Sequence, residues 1–369
     1  MSAHDEHHAD LPLNQALADA GPIAVAGATG FVGRHVCRTL LDAGYRVRAL
    51  VRDIRSVGDR LPEDEDLELR QVAGLTPGEL GLVARRLDPY AAKVELDDGS
   101  APTNPLEGCS AVVNCVGIIR EASGGQTFRR AHIGVTDGLI RAAKAAGVDR
   151  YVQISALGVH PDGPSEYQSS KAAAEKLLAS SGLTWTVFRP SLIHGVDANF
   201  IDDAKAWARG RSAPFLFMPY FTREADPAQR AGLAPNPLAK QESAEISPVH
   251  VADVAGAVVG ALGDPETTEG ETYNLTGPET LTWPEMLAEI RDHTPLSRKL
   301  PIVGLPGKLG VIKAKAAKAV GLRDALPFDE GMAMMASADS TASLVKARAH
   351  LGFDPRPFRE SFAEYAPRI

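Results

Sequence analysis

The segment VAGATGFVGRHV, residues 25–36, holds three glycines in seven positions between an apolar run and a helical pattern. Residues 23–26 form an apolar run of strand length, and residues 33–43 have helical periodicity that ends at Gly44. A second strand-like run follows at residues 46–51. A strand, a glycine turn, a helix and another strand in this order predict a right-handed βαβ unit with parallel strands.

The three glycines suit a turn that approaches a phosphate group. Gly27 permits a tight bend, Gly30 leaves no side chain where a pyrophosphate would lie, and Gly33 allows the helix and strand to pack closely. The N-terminus of the next helix would offer unpaired N–H groups and a partial positive charge. The sequence therefore predicts a dinucleotide-binding site, in which we place these turn and helix residues: Gly27, Thr29, Gly30, Phe31, Val32, Gly33 and Arg34.

Strand-like and helical segments then alternate along the chain. The runs AVVNCVG, YVQISALG and TWTVFRPS have strand character, and residues 128–147 and 166–180 have helical patterns. The third strand has two candidates, LELRQVAGL and AAKVELDD. The second lies at a more usual distance from the fourth strand, which would place the first in an insertion. The alternation predicts an α/β fold with a doubly wound parallel sheet of the Rossmann type.

The chain beyond the sixth strand is predicted to form a smaller, α-rich lobe. Residues 221–245 are polar and rich in Pro and Ala, which favours a loop or lid. Sheet-like order returns in ISPVHVADVA and ETYNLTG. We predict a disordered tail, a dinucleotide-binding domain and a smaller substrate or partner lobe with elements that return to the sheet: 1–20, 21–195 and 196–369, with the return at about 246–276.

Composition limits the classes of function. A formal charge of −8 over 369 residues gives no general attraction to nucleic acid, and three cysteines offer neither a disulfide framework nor a metal spacing. No run reaches the ~18 apolar residues of a spanning helix, and the N-terminus lacks the order of a secretion signal. His194 and His250 have no acid or cysteine at ligand spacing. We therefore expect a cytoplasmic protein without a metal site.

The end of the second strand, ALVRD, bears on the choice of cofactor. An acid at this position bonds a ribose hydroxyl, whereas an arginine pairs with a 2′-phosphate. Arg52 comes first and Asp53 follows, while Arg34 beside the glycine turn is a second candidate partner for the phosphate. We therefore favour NADP(H), and NAD(H) stays open.

Three residues after the fifth strand have the character of a proton-transfer site. Ser155 closes the strand, and Tyr167 and Lys171 stand four apart on the next helix, which places them on one face. An ammonium near a phenol lowers the pKa of the phenol, so Tyr167 would move a proton while Ser155 steadies a carbonyl or alcohol. Lys171 would also hold the nicotinamide ribose, and we place Tyr167 beside it among the cofactor-binding residues.

These motifs resemble those of extended or atypical short-chain dehydrogenases/reductases. GATGFVG, the set of Ser155, Tyr167 and Lys171, FRPSLIHG and PVHVADVA stand in that family's order across about residues 22–290. Within the superfamily, the chain most resembles the nucleotide-binding accessory subunit of respiratory complex I and its bacterial relatives. GFVGRHV, VVNCVGII, AHIGVT and the run from FRPS into DANF carry that resemblance.

The resemblance implies a tightly held NADPH with a structural or regulatory role and little turnover. Extended members usually place an asparagine for the proton relay where this chain has His132, in AHIGVT, so the chain departs from an ordinary dehydrogenase or epimerase. An imidazole can relay protons, and a packing role for His132 is the equal alternative. The resemblance places these further residues at the nucleotide, the last two beside the nicotinamide: Arg52, Val116, Gly117, Pro190 and Ser191.

Three functions follow from these patterns. The main hypothesis is an NADP(H)-binding accessory or assembly factor of a complex I-like enzyme. The alternatives are an active oxidoreductase or sugar-nucleotide epimerase that uses Tyr167 as acid and base, and a redox-sensing regulator that shares the nucleotide site.

Residues 301–323, PIVGLPGKLGVIKAKAAKAVGLR, alternate cationic and apolar residues. A basic amphipathic helix can lie on anionic lipid without crossing it, which would place the protein on the inner face of a membrane. A solvated helix packed on its own domain is the alternative. The cations available to a membrane or protein surface are Lys308, Lys313, Lys315 and Lys318.

Overall fold

The computed structural model describes residues 11–80, 104–122, 125–224, 241–319 and 330–368. The strands in this part of the chain are β1 (Ile23–Ala26), β2 (Val47–Val51), β3 (Leu67–Gln71), β4 (Ala111–Asn114), β5 (Arg150–Ile154), β6 (Thr184–Pro190), β7 (Ile193–His194), β8 (Met218–Glu224), β9 (Gln241–Ser243), β10 (Glu245–Ile246), β11 (Val249–His250), β12 (Glu271–Leu275), β13 (Leu281–Thr282) and β14 (Ile302–Pro306).

Helices alternate with these strands. The α-helices are α1 (Gln15–Ala20), α2 (Phe31–Asp42), α3 (Val135–Ala146), α4 (Glu166–Ala179), α5 (Asn199–Ala208), α6 (Val251–Gly263), α7 (Pro265–Thr268), α8 (Trp283–His293), α9 (Gly307–Ala319), α10 (Glu330–Ala336), α11 (Val345–Leu351) and α12 (Phe358–Tyr365). A π-helical turn, Arg129–Gly134, leads directly into α3, so the helical pattern at 128–147 comprises two kinds of helix.

The main sheet has seven parallel strands in the order β3-β2-β1-β4-β5-β6-β12. Val25 of β1 is opposite Ala49 of β2 on one side and Val113 of β4 on the other. The strand order reverses between β1 and β4, so the loops that follow these two strands border a crevice at the carboxyl edge of the sheet. The predicted doubly wound α/β sheet is confirmed.

Both faces of this sheet are covered by helices, which explains the continuous apolar run of β1. Ile23 and Val25 join the core on one face, and Ala24 and Ala26 join the core on the other; all four are fully buried. Helices α2 and α6 pack together on the first face, and α3 and α4 pack together on the second. A parallel sheet that is buried on both faces requires apolar residues at every position of its central strands.

The strand beside β2 is LELRQ, the first of the two candidates for the third strand. Val47 is opposite Leu67, and Val51 is opposite Gln71. The interpretation of this segment as an insertion was wrong, because the segment forms the edge strand β3 of the main sheet. The positions of an edge strand are partly exposed, so they tolerate a charged residue such as Glu68. The second candidate, AAKVELDD, lies outside the described residues.

Residues 11–20, which we assigned to a disordered tail, include helix α1. The Asn14 side chain caps this helix by accepting a hydrogen bond from the Leu17 N–H at 3.0 Å, and the Asn14 N–H donates to the Tyr45 hydroxyl at 2.8 Å. Leu17 and Ala18 pack against the main core. A single capped turn is therefore ordered by docking rather than by its own helical propensity. Residues 1–10 lie outside the described part.

The smaller lobe has its own core. Ile201 of α5, Leu287 of α8 and Phe362 of α12 are fully buried in it, beside a three-stranded sheet in the order β14-β8-β9. Most of the predicted loop or lid, residues 225–240, lies outside the described residues. Among the helices described, none combines the length and the apolar character that crossing a bilayer requires.

Candidate functional site

The turn after β1 has a backbone that favours glycine at two positions. Gly27 has a φ of +77°, and a Cβ added there would lie 3.1 Å from the backbone nitrogen of Val116. A Cβ at Gly33 would lie 2.1 Å from the carbonyl oxygen of Gly27. The Gly30 N–H donates to that same oxygen at 2.9 Å and closes the turn. Glycine is therefore required both by this bend and by its close packing against α2 and the loop after β4.

The N-terminus of α2 opens at the crevice. Gly30 is its N-cap residue and is exposed, and no described side chain caps the first turn of the helix. Thr29, Phe31 and Val32 are half-buried around it. Unpaired N–H groups and the helix dipole make such an end attractive to phosphate. The structure thus brings the predicted turn residues together in a cradle that fits a dinucleotide pyrophosphate.

Arg34, a predicted partner of the 2′-phosphate, is paired with an acid of the chain itself. Its Nη2 lies 2.9 Å from Oδ2 of Asp197, and its guanidinium carbon lies 5.8 Å from the centroid of the Phe31 ring. The ion pair reduces the positive charge that Arg34 offers to a phosphate. Arg34 therefore serves to hold the first turn of α2 against the loop that carries Asp197.

The end of β2 offers a different arginine. Asp53 accepts hydrogen bonds from Arg55, from its Nε at 3.1 Å and its backbone N–H at 3.0 Å. The side chain of Arg55, followed by its backbone N–H, holds the pKa of Asp53 below its usual range. Arg52 is exposed and forms no ion pair with any residue that the structure describes. Of the two predicted arginines, Arg52 is the one whose guanidinium is available.

Ser155, at the carboxyl end of β5, is bound to a buried carboxylate. Its Oγ donates to Oε1 of Glu175 on α4, and Arg189 on β6 binds the same carboxylate, with Nε 3.0 Å from Oε1. The Ser155 residue is 5% exposed, and the Glu175 side chain is 11% exposed. Because a hydroxyl has one proton, Ser155 directs that proton to Glu175 rather than to a bound carbonyl group.

Tyr167 and Lys171 are both buried on α4, but the expected electrostatic coupling does not dominate. Burial raises the pKa of Tyr167 to about 12, and its ring packs edge-on against Phe128 and His132, with centroids 5.8 and 5.4 Å away. Burial lowers the pKa of Lys171 to about 8, and its Nζ donates to the carbonyl oxygen of Ile154 at 3.1 Å. The expected lowering of the Tyr167 pKa was therefore wrong, because desolvation of the phenolate prevails.

The loop after β4 is fixed between the glycine turn and this lysine. A Cβ at Gly117 would lie 3.1 Å from Nζ of Lys171. The Val116 N–H donates to the side-chain oxygen of Asn114 at 3.0 Å, and the Asn114 amide in turn donates to Gln153 at 3.0 Å. Val116 and Gly117 thus connect the cradle to the Lys171 end of the crevice.

His132 is buried in the π-helical turn before α3. The Ile118 N–H donates to Nε2 at 3.3 Å, which assigns the proton to Nδ1; Nδ1 then donates to Ser170 Oγ at 2.8 Å. Ser170 Oγ donates to the carbonyl oxygen of Tyr167 at 3.0 Å. Burial, together with the nearby charge of Lys171, lowers the pKa of His132 to about 3. A neutral imidazole with both nitrogens engaged favours the packing role over the proton relay.

The predicted nicotinamide end meets the C-terminal segment. The carbonyl oxygen of Pro190 accepts from the Leu157 N–H at 2.8 Å. The Ser191 hydroxyl donates to the carbonyl oxygen of Ser340 at 2.8 Å, and the Ser247 N–H donates to the same oxygen at 3.0 Å. The chain near Ser340 therefore packs against this end of the crevice.

His194 and His250 lie in a buried cluster of the smaller lobe, with ring centroids 5.2 Å apart. The hydroxyl of Tyr365 lies 3.1 Å from His194 Nδ1, and Arg356 Nη2 donates to His250 Nδ1 at 2.6 Å. Oδ2 of Asp253 accepts from the Arg356 N–H at 3.1 Å. Over the described ranges, no three His, Cys, Asp or Glu side chains are grouped to hold a metal. This cluster anchors the C-terminal segment.

Sequence reasoning missed four charged residues of the site, which are Arg55, Glu175, Arg189 and Asp197. Glu175 stands four residues after Lys171, a spacing that puts it on the same face of α4, and Arg189 lies inside the FRPS motif. Those two signals could have indicated a charged pair beside Ser155. Nothing local to the sequence links the remaining pairs, Arg34 with Asp197 and Asp53 with Arg55, to a crevice.

Comparisons with known proteins agree with this geometry. Residues 27–199 match the family described as NAD(P)H-binding. The chain is 28% identical over 278 residues to the mitochondrial NADH dehydrogenase (ubiquinone) 1 alpha subcomplex subunit 9 of Dictyostelium discoideum, across 75% of this chain and 65% of that relative. The family match covers just under half of the chain, so residues 27–199 resemble NAD(P)H-binding proteins, in agreement with the cradle at the glycine turn. The resemblance to complex I accessory subunits is confirmed, and the chain spans just under two thirds of that relative's length.

Another relative matches nearly the whole chain. It is the (4-alkanoyl-5-oxo-2,5-dihydrofuran-3-yl)methyl phosphate reductase of Streptomyces griseus, 28% identical over 352 residues, across 93% of this chain and 98% of that relative. Among solved structures, MoeE5 in complex with UDP-glucose and NAD matches with a TM-score of 0.62 and 17% identity, across 94% of this chain and 98% of that chain. At that identity, the match to MoeE5 concerns the fold alone.

Proposed function

We propose that this protein binds NADP(H) and acts as an accessory or assembly factor of a complex I-type NADH:quinone oxidoreductase, with little or no turnover. Similarity to the subunit 9 protein supports the choice of partner. Association with that enzyme would place the protein at the inner face of a membrane. The bond from Ser155 to Glu175 is the observation that carries the low-turnover part of the proposal.

The groups that would perform carbonyl chemistry are engaged with the protein. A substrate carbonyl needs a donor, and the one proton of Ser155 is directed at a carboxylate that Arg189 also binds. A proton relay needs a free nitrogen or oxygen, and both nitrogens of His132 are engaged. Burial raises the pKa of Tyr167 to about 12, which disfavours the phenolate that would act as the base in alcohol oxidation. The crevice is thus suited to holding a nucleotide more than to turning it over.

The preference for the phosphorylated nucleotide is part of the proposal. A ribose hydroxyl would need a free carboxylate at the end of β2, and Asp53 is bound by Arg55. A 2′-phosphate would need a free guanidinium, which the exposed Arg52, the residue before Asp53, can supply. These two observations favour NADP(H) over NAD(H).

The deciding experiment identifies the nucleotide by mass after denaturation of the purified protein, and then compares the wild type with Tyr167→Phe. We expect NADP(H) to be released from both proteins in equal amounts, and complex I-type subunits to co-purify with both. Oxidation of the bound nucleotide by a panel of carbonyl and sugar-nucleotide substrates, lost in Tyr167→Phe, would overturn the accessory function.

A working reductase is the second candidate. The near full-length match to the Streptomyces griseus reductase supports it, because that match includes the smaller lobe as well as the nucleotide-binding part. In that case a substrate would have to displace Glu175 from Ser155, and turnover would depend on both Ser155 and Tyr167. Substrate-dependent loss of nicotinamide absorbance in the wild type distinguishes this candidate from the first.

A further inference from the structure

Two loops of the smaller lobe lie side by side, residues 209–217 before β8 and residues 294–300 before β14. The Arg298 N–H donates to the carbonyl oxygen of Ala208 at 2.8 Å, and Nε of Arg209 donates to the carbonyl oxygen of Pro295 at 3.1 Å. Strands β8 and β14 are parallel neighbours, so the loops that precede them lie at the same end of the small sheet. The two loops therefore form one surface, which we name the paired-loop surface.

Large apolar side chains project from this surface. Leu296 is 83% exposed, Leu216 is 76% exposed, and Phe215 is 53% exposed. Clustered exposed apolar residues mark interaction sites more often than scattered ones do. Phe215 and Leu296 also have positive φ angles, 63° and 60°, and with Lys299 they are the residues other than glycine that do so in the described part. Bulky residues rarely adopt this backbone, which concentrates at functional sites.

The charge of the surface has one sign. The two loops contain Arg209, Arg211, Arg298 and Lys299 and no acidic residue, in a chain whose formal charge is −8. Arg211 and Arg298 are exposed and form no ion pair with any residue in the described ranges. Lys299 pairs with Asp292 at the end of α8, at 3.1 Å. Arg211 and Arg298 are thus available to bind anionic groups of a partner.

We propose that the paired-loop surface docks on a membrane that carries anionic headgroups. Leu216, Leu296 and Phe215 would enter the boundary of the acyl chains, while Arg211 and Arg298 would bind lipid phosphates. Apolar tips flanked by unpaired arginines match a lipid interface, which offers hydrocarbon and anionic oxygens at adjacent depths. The docking goes beyond the proposed accessory function and requires no nucleotide.

Helix α9, in the segment that the sequence indicated for this role, is less suited to it. Its Lys308 pairs with Glu224 at 2.9 Å, and its Lys315 pairs with Glu330 at 3.1 Å. Acids of the chain already balance these two cations, although Leu309 and Ile312 beside them are exposed. The side chain of Lys318 and residues 320–323 lie outside the described part. The observations therefore favour the paired-loop surface over residues 301–323.

The test is sedimentation of the full chain with vesicles of phosphatidylcholine alone or of phosphatidylcholine with about one third phosphatidylglycerol. We expect binding to the anionic vesicles, and loss of about 25-fold in affinity for Arg211→Gln with Arg298→Gln, since each cation near such a surface contributes about fivefold. Leu216→Ser with Leu296→Ser should lower the affinity about tenfold or more. Failure of the wild type to bind anionic vesicles overturns the proposal.

Matched variants separate the surface from general effects. Val345→Ser removes a side chain of similar exposure, 74%, from α11, outside the paired loops, and should bind as the wild type does. Lys313→Gln with Lys315→Gln should also bind normally, and loss of binding there with none in the loop variants would assign docking to α9 instead. Release of NADP(H) from the same samples, measured by mass, reports separately on the nucleotide site. Unchanged near-ultraviolet circular dichroism shows that each variant is folded.

Discussion

At the glycine turn the site is formed by backbone, whereas at the Ser155 end it is formed by side chains that already bind one another. The cradle leaves its N–H groups pointing at the crevice, and a Cβ at Gly33 would meet the Gly27 carbonyl oxygen at 2.1 Å. At the other end, Glu175 holds the Ser155 hydroxyl and the Arg189 guanidinium. A backbone cradle at one end and paired side chains at the other support the proposed retention of a dinucleotide with little turnover.

The difference has an energetic basis. Backbone N–H groups at a helix N-terminus are exposed to water before a ligand arrives, so phosphate replaces water at low cost. The carboxylate of Glu175, whose side chain is only 11% exposed, is costly to leave unpaired. Withdrawing Glu175 from its partners to free Ser155 would therefore cost more than exposing the cradle does. This difference supports the proposal that the glycine turn binds the nucleotide while the Ser155 end stabilises the fold.

The largest expected effect concerns the cradle. Gly33→Ala should lower the free energy of unfolding by about 3 kcal/mol and abolish nucleotide retention, because the added methyl group meets backbone that cannot move as a side chain does. Denaturant unfolding and mass analysis of released nucleotide measure the two effects. Gly78→Ala is the control, since a Cβ there has no atom within 4 Å. Normal nucleotide retention in Gly33→Ala would show that the cradle is not the phosphate site.

The next prediction tests the nucleotide preference. Arg52→Gln should weaken NADP(H) binding about 30-fold, the loss of roughly 2 kcal/mol from charge-assisted hydrogen bonds, and leave NAD(H) affinity unchanged. Isothermal calorimetry with both nucleotides gives the comparison. Arg60→Gln removes another exposed arginine, from the 3₁₀ turn Gly58–Arg60, and should leave both affinities unchanged. An equal loss for both nucleotides in Arg52→Gln would argue against a 2′-phosphate contact.

A smaller effect concerns Lys171, near the Ser155 end of the crevice, and is seen as a change of the free energy of unfolding with pH. Burial lowers the pKa of Lys171 from 10.5 to about 8, so above pH 8 the unfolded chain binds more protons at this residue than the folded chain does. Its contribution to the free energy of unfolding should therefore rise by about 1 kcal/mol between pH 8 and 9. The buried thiols of Cys37 and Cys115 have raised pKa values and act in the opposite direction above pH 9, which sets the upper limit of the window.

The measurement is the difference in unfolding free energy between the wild type and Lys171→Met, taken at pH 7, 8 and 9. The subtraction cancels the titration of groups common to both proteins. A difference that stays constant across this range would mean that Lys171 is not desolvated, and the Ser155 end would then be more open to solvent than the structure indicates.

Most of the main sheet could be predicted because its signals are local. The apolar run at 23–26, the glycine turn and the helical period after it all lie within a short stretch, and each stands for one element. β3 was harder because an edge strand carries charged residues such as Glu68 and Arg70 and so resembles a loop. α1 was missed because its order comes from Tyr45 and the core, which the local sequence does not contain.

The candidate site was predictable in position more than in chemistry. Motif spacing placed Ser155, Tyr167 and Lys171 at the carboxyl edge of the sheet, but the direction of a pKa depends on burial, which spacing does not give. The pairing of Glu175 with Arg189 joins α4 to β6 and exists only in three dimensions. That pairing is what changes the interpretation of Ser155 from a substrate donor to a structural hydroxyl.

The smallest expected effect tests that interpretation directly. Ser155→Ala should lower the free energy of unfolding by about 1 kcal/mol, because the largely buried side chain of Glu175 loses a donor, and should leave nucleotide retention unchanged. Ser169→Ala is the matched control: its hydroxyl donates to the Ser165 carbonyl at 3.3 Å in the same helix, and it should change stability by only a few tenths of a kcal/mol. A substrate donor would behave in the opposite way, with stability kept and turnover lost. Denaturant unfolding and the substrate panel, applied to the same preparations, therefore decide whether the Ser155 hydroxyl stabilises the fold or binds a substrate.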